Sequence, residues 1–267
     1  MNKDKRLEAF GRLLDVMDEL RVKCPWDRVQ TFESLRSSTI EETYELVDAL
    51  LDHDMKNVKK ELGDLLLHVI FYSKIASEEG AFDIADVADT ECDKLIFRHP
   101  HVFGAVHADT PDEVKQNWED LKLKEKEKEH EKKRVLSGVP RTLPSLVKAY
   151  RISQKVASAG FDWETKEDIW SKVQEEISEV QAAMQSGDEV NKEEEFGDLL
   201  FALVNAARLY GVNAETALEK CNKKFISRFT YIEEQAEKQG LSLRELSLAE
   251  MENWWCEAKN KAKEKTE

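Results

Sequence analysis

Two sets of acidic residues occur in this chain with the same internal spacing, and carboxylates so arranged could hold a divalent metal ion. The two sets are Glu41, Glu42, Glu45, Glu61, Asp64 and Glu175, Glu176, Glu179, Glu195, Asp198. Each residue of the first set lies 134 positions before its counterpart. With 55 acidic residues among 267, one such pattern is expected by chance about once. A second copy at identical spacing indicates an internal duplication.

Helical geometry explains how residues so far apart in sequence could form one site. Within each set, acidic residues three positions apart lie on one face of a helix. The midpoints between the paired acids are His53 and Gly187, both in turn-like sequence. A chain reversal at either point would form an antiparallel helix pair in which four carboxylates converge. Such carboxylates repel one another unless a cation neutralises them, and oxygen ligands favour Mg²⁺ or Mn²⁺ over zinc.

Glycine and tryptophan also recur in both halves. Gly63 and Gly197 precede the last aspartate of each set, and glycine inside a helix costs about 1 kcal/mol relative to alanine. Their presence indicates either a ligand that approaches the backbone or closely packed helices. Trp26 and Trp163 follow the first helical segment of each half. Large aromatic side chains usually pack in the interior, so both tryptophans are predicted to lie in the core.

Basic and aromatic residues follow each acidic set at repeated spacings. A lysine and an arginine four positions apart come first, and a tryptophan and a lysine four apart come next. These residues are Lys94, Arg98, Trp118 and Lys122 in the first half, and Lys224, Arg228, Trp255 and Lys259 in the second. Any one pair would be an ordinary surface feature. Repeated after two carboxylate sets, they suit the binding of a polyphosphate.

Helical periodicity dominates the chain, which has only 5 prolines and 10 glycines, so we predict an all-α fold. A first helix is expected over residues 6–22, and its counterpart over residues 143–159. A Lys- and Glu-rich run is followed by a segment with glycine and prolines, which marks a boundary. The prediction is two tandem repeated helical-bundle domains, residues 1–122 and 143–267, joined by a linker at 123–142.

Composition excludes several classes of function. The net charge of -15 argues against stable binding of nucleic acid, whose phosphates are held by basic surfaces. The longest uncharged runs are nine residues, about half of a membrane span. The N-terminus lacks the apolar stretch of a secretory signal. The four cysteines are widely scattered and indicate reduced thiols rather than a zinc site. We therefore expect a cytoplasmic protein without a membrane segment.

These motifs resemble the MazG family, the tandem-domain nucleoside triphosphate pyrophosphohydrolases of bacteria. The resemblance is carried by Glu-Glu-x-x-Glu with Glu-x-x-Asp, by the Lys-x-x-x-Arg pairs, and by Arg98-His99-Pro100-His101-Val102-Phe103. It extends from Cys24 to Trp255. A wider group of all-α pyrophosphatases shares the acidic motif, so the tandem arrangement and the flanking segments make the match specific.

The resemblance implies an all-α homodimer that cleaves NTPs or dNTPs to the monophosphate and pyrophosphate with Mg²⁺, in broad-specificity housecleaning of the nucleotide pool. It implies metal ligands at Glu42, Glu45, Glu61 and Asp64, and at Glu176, Glu179, Glu195 and Asp198. It implies nucleotide or phosphate binding by Lys94, Arg98, Trp118 and Lys122, and by Lys224, Arg228, Trp255 and Lys259. We expect the C-terminal copy to carry the main activity.

Two assignments remain open at this stage. Glu41 and Glu175, each next to a predicted ligand, could deprotonate the attacking water or act as outer partners of the ligands. His99 and His101 are expected to end a helix rather than to bind metal. Two functions compete with the main prediction: a helical regulatory or interaction protein that binds nucleotide without hydrolysis, and a phosphoribosyl-ATP pyrophosphohydrolase. Dimerisation is expected because a charged helix pair leaves apolar faces uncovered.

Overall fold

All regular elements of the structure, a computed structural model, are helices, and the prediction of an all-α fold is confirmed. The structure describes residues 3–110, 113–114, 117–118, 121, 134–186 and 189–264. The chain divides into two compact units, Met1–Leu123 and Lys124–Glu267, which are called the first and second unit below. Our domain limits, 1–122 and 143–267 with a linker at 123–142, stay a prediction because part of the linker lies outside the described residues.

Five helices can be delimited among the described residues of the first unit, and helix caps define the ends of the central pair. Its helices are α1 (Lys3–Lys23), α2 (Phe32–Leu51), α3 (Met55–Glu78), α4 (Ile84–Arg98) and α5 (Pro100–Phe103). The side chain of Thr31 caps α2, and the carboxylate of Asp54 accepts hydrogen bonds from the first backbone N–H groups of α3. Such caps satisfy N–H groups that have no partner within a helix.

The chain reverses between α2 and α3 at the predicted point. His53 has a φ of 54°, the left-handed conformation that tight turns require. The two helices then pack along each other, so acidic residues from both sides of the turn return to the same level. His99 also follows the prediction, because it ends α4 and its Nδ1 lies 2.6 Å from the carbonyl oxygen of Leu95.

The second unit repeats this arrangement, with five further helices among its described residues. They are α6 (Ser145–Ser158), α7 (Ile169–Ser186), α8 (Glu189–Leu209), α9 (Ala214–Lys238) and α10 (Leu248–Glu264). Helices α7 and α8 pack along each other as α2 and α3 do. The predicted reversal at Gly187 lies outside the described residues. None of the described helices is long and apolar enough to cross a membrane.

The two units have cores of different size. The core of the first unit consists of Met17, Leu35, Ile70, Phe71 and Ile75. The core of the second unit consists of Ile169, Val173, Ala202 and Ala206. Small side chains at the centre of a helix bundle leave space unless neighbours move closer. The core of the second unit is therefore built from smaller side chains, two of them alanines.

The prediction that two tryptophans lie in the core is wrong, and one of the two explanations offered for the helix glycines is not supported. Trp26 is 60% exposed and Trp163 is 38% exposed, because both lie in connections after the first helix, and aliphatic residues with Phe71 fill the interior instead. At Gly63 and Gly197, an added Cβ would meet no atom within 4 Å. Close helix packing within the described residues therefore does not explain either glycine.

Candidate functional site

Three carboxylates converge in each unit. Glu42 and Glu45 of α2 approach Glu61 of α3, and we call these residues the first trio. The second trio is formed by Glu176, Glu179 and Glu195, from α7 and α8. Within each trio, one oxygen of every residue lies within 4.8 Å of the others. This spacing allows one ion to contact all three side chains.

The fourth predicted ligand of each unit lies outside the trio. Asp64 is one helical turn beyond Glu61, and its Oδ2 is 3.6 Å from the ammonium of Lys60. Asp198 is exposed and lines a cavity together with Glu176. The structure thus brings together three of the four predicted ligands in each unit, with the aspartate beside them.

The second trio contains a buried carboxylate oxygen without a partner. Glu176 is only 4% exposed, and its Oε1 lies 2.6 Å from Nζ of Lys172. Its Oε2 is buried and accepts no hydrogen bond within the structure. Leaving a buried charged oxygen unsatisfied costs free energy, so such an atom usually has a ligand. An unpartnered oxygen in a three-carboxylate cluster fits a bound cation.

A lysine neutralises the first trio. Nζ of Lys60 lies 3.0 Å from Glu61, 3.7 Å from Glu45 and 3.6 Å from Asp64. Its hydrogen bond to Glu61 raises the pKa of Lys60 above the usual value. Desolvation, and then the charges of Asp64 and Glu45, raise the pKa of the Glu42 carboxyl. The carboxylates therefore repel one another even with the lysine present.

In the second unit the corresponding cation comes from the other helix. Nζ of Lys172, on α7, donates to Glu175 at 2.9 Å and lies beside Glu176. These two hydrogen bonds, first to Glu176 and then to Glu175, raise the pKa of Lys172. Desolvation, and then the charge of Glu176, raise the pKa of the Glu179 carboxyl. Sequence reasoning missed both lysines, although Lys172 lies four residues before Glu176 on the same helix face.

The proposed base residues lie at the margins of the trios. Glu41 and Glu175 are both exposed to solvent. Glu175 accepts the hydrogen bond of Lys172 that has just been described, which holds its carboxylate beside the second trio.

An arginine lies against a tryptophan in both units, a contact that the sequence spacing did not predict. The guanidinium carbon of Arg98 lies 5.4 Å from the ring centre of Trp118, and that of Arg228 lies 5.3 Å from the ring centre of Trp255. Both distances suit a cation–π contact. Lys224 and Lys259 are exposed, Lys94 pairs with Glu91, and Lys122 lies outside the described residues.

A cavity of about 670 Å³ lies beside the second trio. Its walls include Ser153, Phe161, Trp163, Ala202 and Asn205. The trio residue Glu176 and its neighbours Asp198 and Lys172 line the same cavity. Pockets of about 300–1,000 Å³ with mainly apolar walls are typical of sites for small molecules and cofactors.

Larger side chains occupy the corresponding positions of the first unit. At an offset of 134 residues, His68 corresponds to Ala202, and Phe71 corresponds to Asn205. The hydroxyl of Thr39 lies 2.7 Å from Nδ1 of His68 and 2.7 Å from the hydroxyl of Tyr72. Burial lowers the pKa of His68, and the charge of Asp64 opposes this effect.

Comparison with known proteins links both units to one family. Residues 30–103 and 164–232 match the model of the MazG nucleotide pyrophosphohydrolase domain and together make up more than half of the chain. A nucleoside triphosphate pyrophosphohydrolase of Escherichia coli is 43% identical over 95% of this chain and 98% of its own length. A nucleoside triphosphate pyrophosphohydrolase/pyrophosphatase MazG of Thermotoga maritima is 43% identical over 94% and 95%, respectively. The uncharacterized protein YabN of Bacillus subtilis is 44% identical over 94% of this chain and 51% of its own length.

Proposed function

The chain belongs to the MazG nucleotide pyrophosphohydrolase family, and we propose that it hydrolyses NTPs or dNTPs to the monophosphate and pyrophosphate. The observation that carries this proposal is the second trio, with its unpartnered Glu176 oxygen, at the wall of a cavity large enough for a nucleoside. Broad acceptance of bases suits a housecleaning role. Such a role belongs where nucleotides are made and used, so we propose a cytoplasmic location.

The chemistry of the trios suits Mg²⁺, with Mn²⁺ as the alternative, because all the donors are carboxylate oxygens. In the second unit we propose Glu176, Glu179, Glu195 and Asp198 as the ligands. Their counterparts are Glu42, Glu45, Glu61 and Asp64. When bound, the metal would polarise phosphoryl oxygens and lower the pKa of a coordinated water.

The remaining residues have roles in binding and in proton transfer. Lys224, Arg228 and Lys259 would neutralise the phosphates, while Trp255 holds the guanidinium of Arg228 in place. Glu175 would orient the attacking water and take up its proton, and its hydrogen bond from Lys172 holds it beside the trio. The counterparts in the first unit are Glu41, Lys94, Arg98, Trp118 and Lys122.

We assign the main activity to the second unit. Its cavity gives a nucleoside access to the trio, and Glu176 has a carboxylate oxygen free for a metal. In the first unit, Lys60 contacts Glu45, Glu61 and Asp64. A metal there would have to displace the ammonium group.

Pyrophosphate release from the four NTPs and four dNTPs in the presence of Mg²⁺ tests the function. We expect pyrophosphate and the monophosphate from the wild-type protein. Glu195→Ala should lose more than about 100-fold in turnover, since even outer partners of metal ligands contribute 10–100-fold. Glu61→Ala is the matched control in the first unit and should stay within about twofold of the wild type. Orthophosphate as the sole product would refute the proposed reaction.

Exposed apolar residues support a homodimer. Leu62, Leu66 and Val69 form a stripe on α3, and Phe196, Leu200 and Leu203 form the same stripe on α8. These residues share one helix face and are 37–54% exposed. An association that buries such stripes would be stabilised by the hydrophobic effect. Light scattering should give twice the mass of the chain, and Leu200→Glu should reduce it; a monomeric wild type would refute the dimer.

A further inference from the structure

We propose that Asn205 and Ser153 read the nucleobase of the substrate, with Asn205 donating a hydrogen bond to a carbonyl oxygen of the base. This inference rests on the proposed function, because it assigns the cavity of the second unit to the nucleoside. It adds the side chains that determine base preference and the chemical class of base that they favour.

The orientation of the Asn205 amide follows from its neighbours. The guanidinium of Arg208 donates from Nη1 and Nη2 to both carboxylate oxygens of Asp162. Nε of Arg208 then donates to the side-chain oxygen of Asn205 at 2.9 Å. A guanidinium has no acceptor atom, so the amide oxygen of Asn205 must face Arg208. The amide nitrogen is left as a hydrogen-bond donor at the cavity wall.

Ser153 supplies a second polar group in the same wall. Its side chain is only 2% exposed, and its hydroxyl makes no hydrogen bond within the structure. A buried hydroxyl without a partner destabilises the folded protein. Because it lines the cavity, a polar atom of a bound base could satisfy it. A hydroxyl can either donate or accept, so Ser153 accommodates either kind of atom.

The rest of the cavity suits the flat face of a base. Phe161 and Trp163 contribute aromatic surface, and Ala202 leaves space between the helices. Glu176 and Asp198 line the same cavity, so a nucleotide with its base here could extend its phosphates to the second trio. Stacking on aromatic rings accepts any base, whereas the amide of Asn205 distinguishes among bases.

The chemical class of the favoured base follows from the donor at Asn205. Guanine, uracil and thymine carry a carbonyl oxygen at the position where adenine and cytosine carry an exocyclic amino group, and this amino group cannot accept the hydrogen bond of Asn205. The kcat/KM for GTP and UTP should therefore exceed the value for ATP. In the first unit, Phe71 stands at the position of Asn205 and offers no such donor.

Asn205→Asp tests the inference because it keeps the shape and the oxygen that faces Arg208, but replaces the donor by an acceptor. We expect the ratio of kcat/KM for GTP over ATP to fall by about tenfold. The matched control is Asn213→Asp. Asn213 caps α9, where aspartate is an equally good cap, so the ratio should not change. An unchanged ratio in Asn205→Asp would overturn the inference.

The same variants are also measured by calorimetry with non-hydrolysable α,β-methylene GTP and ATP. If the wild type released no pyrophosphate, the proposed function would fail. The ratio of the affinities for the GTP and ATP analogues would still show whether the cavity distinguishes the two bases. Loss of the preference for the GTP analogue in Asn205→Asp supports base recognition by Asn205 in either case. An affinity ratio equal to that of the wild type contradicts it.

Ser153→Ala provides a second, independent variant. We expect KM to rise about threefold to tenfold for all NTPs with little change in kcat, because the hydroxyl contacts the base and not the reacting phosphates. The melting temperature should not fall, because the substitution removes an unsatisfied buried hydroxyl. An unchanged KM, or a loss of stability that accounts for the loss of activity, would contradict a role for Ser153 in binding.

Discussion

The two units carry identical carboxylate spacings but receive their neutralising cation from opposite helices. In the first unit, Lys60 precedes Glu61 on α3, and the corresponding residue of the second unit is Glu194. In the second unit, the cation is Lys172 on α7, and its counterpart is Ser38. A duplicated set of ligands can therefore persist while the charges around it are rearranged. The charges that surround the carboxylates, and not the carboxylates alone, distinguish the two sites.

The walls beside the trios have also diverged. The first unit has a hydrogen-bonded group of Thr39, His68 and Tyr72. The corresponding residues of the second unit are Val173, Ala202 and Ala206. Met17 and Ser153 are likewise the fully buried side chains of the first helix in each unit. Exchange of large residues for small ones leaves the cavity in the second unit.

Introducing side chains of the first unit into the cavity wall of the second unit should have the largest effect on kcat/KM. The double variant Ala202→His, Asn205→Phe would fill the cavity, and we expect kcat/KM for every NTP to fall more than about 100-fold, since misplacement of a substrate alone can cost that much. Mn²⁺ binding, measured by electron paramagnetic resonance, should persist because the trio is untouched. Near-normal turnover with the cavity filled would show that the nucleoside binds elsewhere.

Removal of Lys60 should make the first trio resemble the second trio in its affinity for a metal ion. Lys60→Glu places at this position the residue that the second unit carries, and it removes the ammonium that contacts Glu45 and Glu61. We expect Mn²⁺ affinity of the first unit to rise at least about tenfold, because a competing cation is gone. The matched control is Lys59→Glu, which makes the same change of charge one residue away. Equal Mn²⁺ titration curves for the wild type and for Lys60→Glu would contradict the idea that Lys60 blocks metal binding.

The two tryptophans should differ in their contribution to turnover. Trp255→Ala removes the ring against which Arg228 packs, and we expect KM to rise about tenfold at similar kcat, because desolvated cation–π contacts contribute about 1–2 kcal/mol. Trp118→Ala removes the same contact to Arg98 and should change KM less than about twofold. Equal effects of both substitutions would indicate that both units bind the substrate.

The repulsion within the second trio predicts a dependence on pH. Desolvation and the charge of Glu176 raise the pKa of Glu179 in the folded protein, so the ionised form destabilises the fold above that pKa and protonation relieves the effect as pH falls. Without metal, Glu179→Gln should melt at a higher temperature than the wild type near neutral pH, and the difference should shrink as the pH falls through the raised pKa of Glu179. With excess Mg²⁺, the wild type should have the higher melting temperature of the two proteins near neutral pH. A difference in melting temperature that grows at low pH would contradict the sign of this shift.

The smallest effects are expected at the two helix glycines. Gly63→Ala and Gly197→Ala add a Cβ that meets no atom within 4 Å, so each should stabilise its unit by about 0.5–1 kcal/mol. Turnover should stay within about twofold of the wild type in both. Chemical denaturation and the pyrophosphate assay check this pair. A drop in turnover for Gly197→Ala alone would reveal that the substrate approaches the backbone of α8.

Much of the site could be predicted because its residues are local to two helices. Acidic residues three apart share a face whatever surrounds the helix, and His53 marks the turn that brings two such faces together. The same arginine–tryptophan contact occurs in both units, between Arg98 and Trp118 and between Arg228 and Trp255. The prediction that Trp26 and Trp163 are core residues was wrong, since the composition of a loop does not show which side chains the core will accept.

The sequence by itself therefore determined the helical class, the duplication and the carboxylates that face each other, because these depend on periodicity within single helices. Only the tertiary structure decided that Lys60 reaches across to Glu45 of α2 and that a large cavity lies beside the second trio. Ser153 lies on α6 and Asp162 lies in the connection that follows it, so their positions beside Asn205 and Arg208 of α8 depend on how these segments pack. The volume left between helices depends on the sizes of side chains from all of them, so no single stretch of the sequence encodes it.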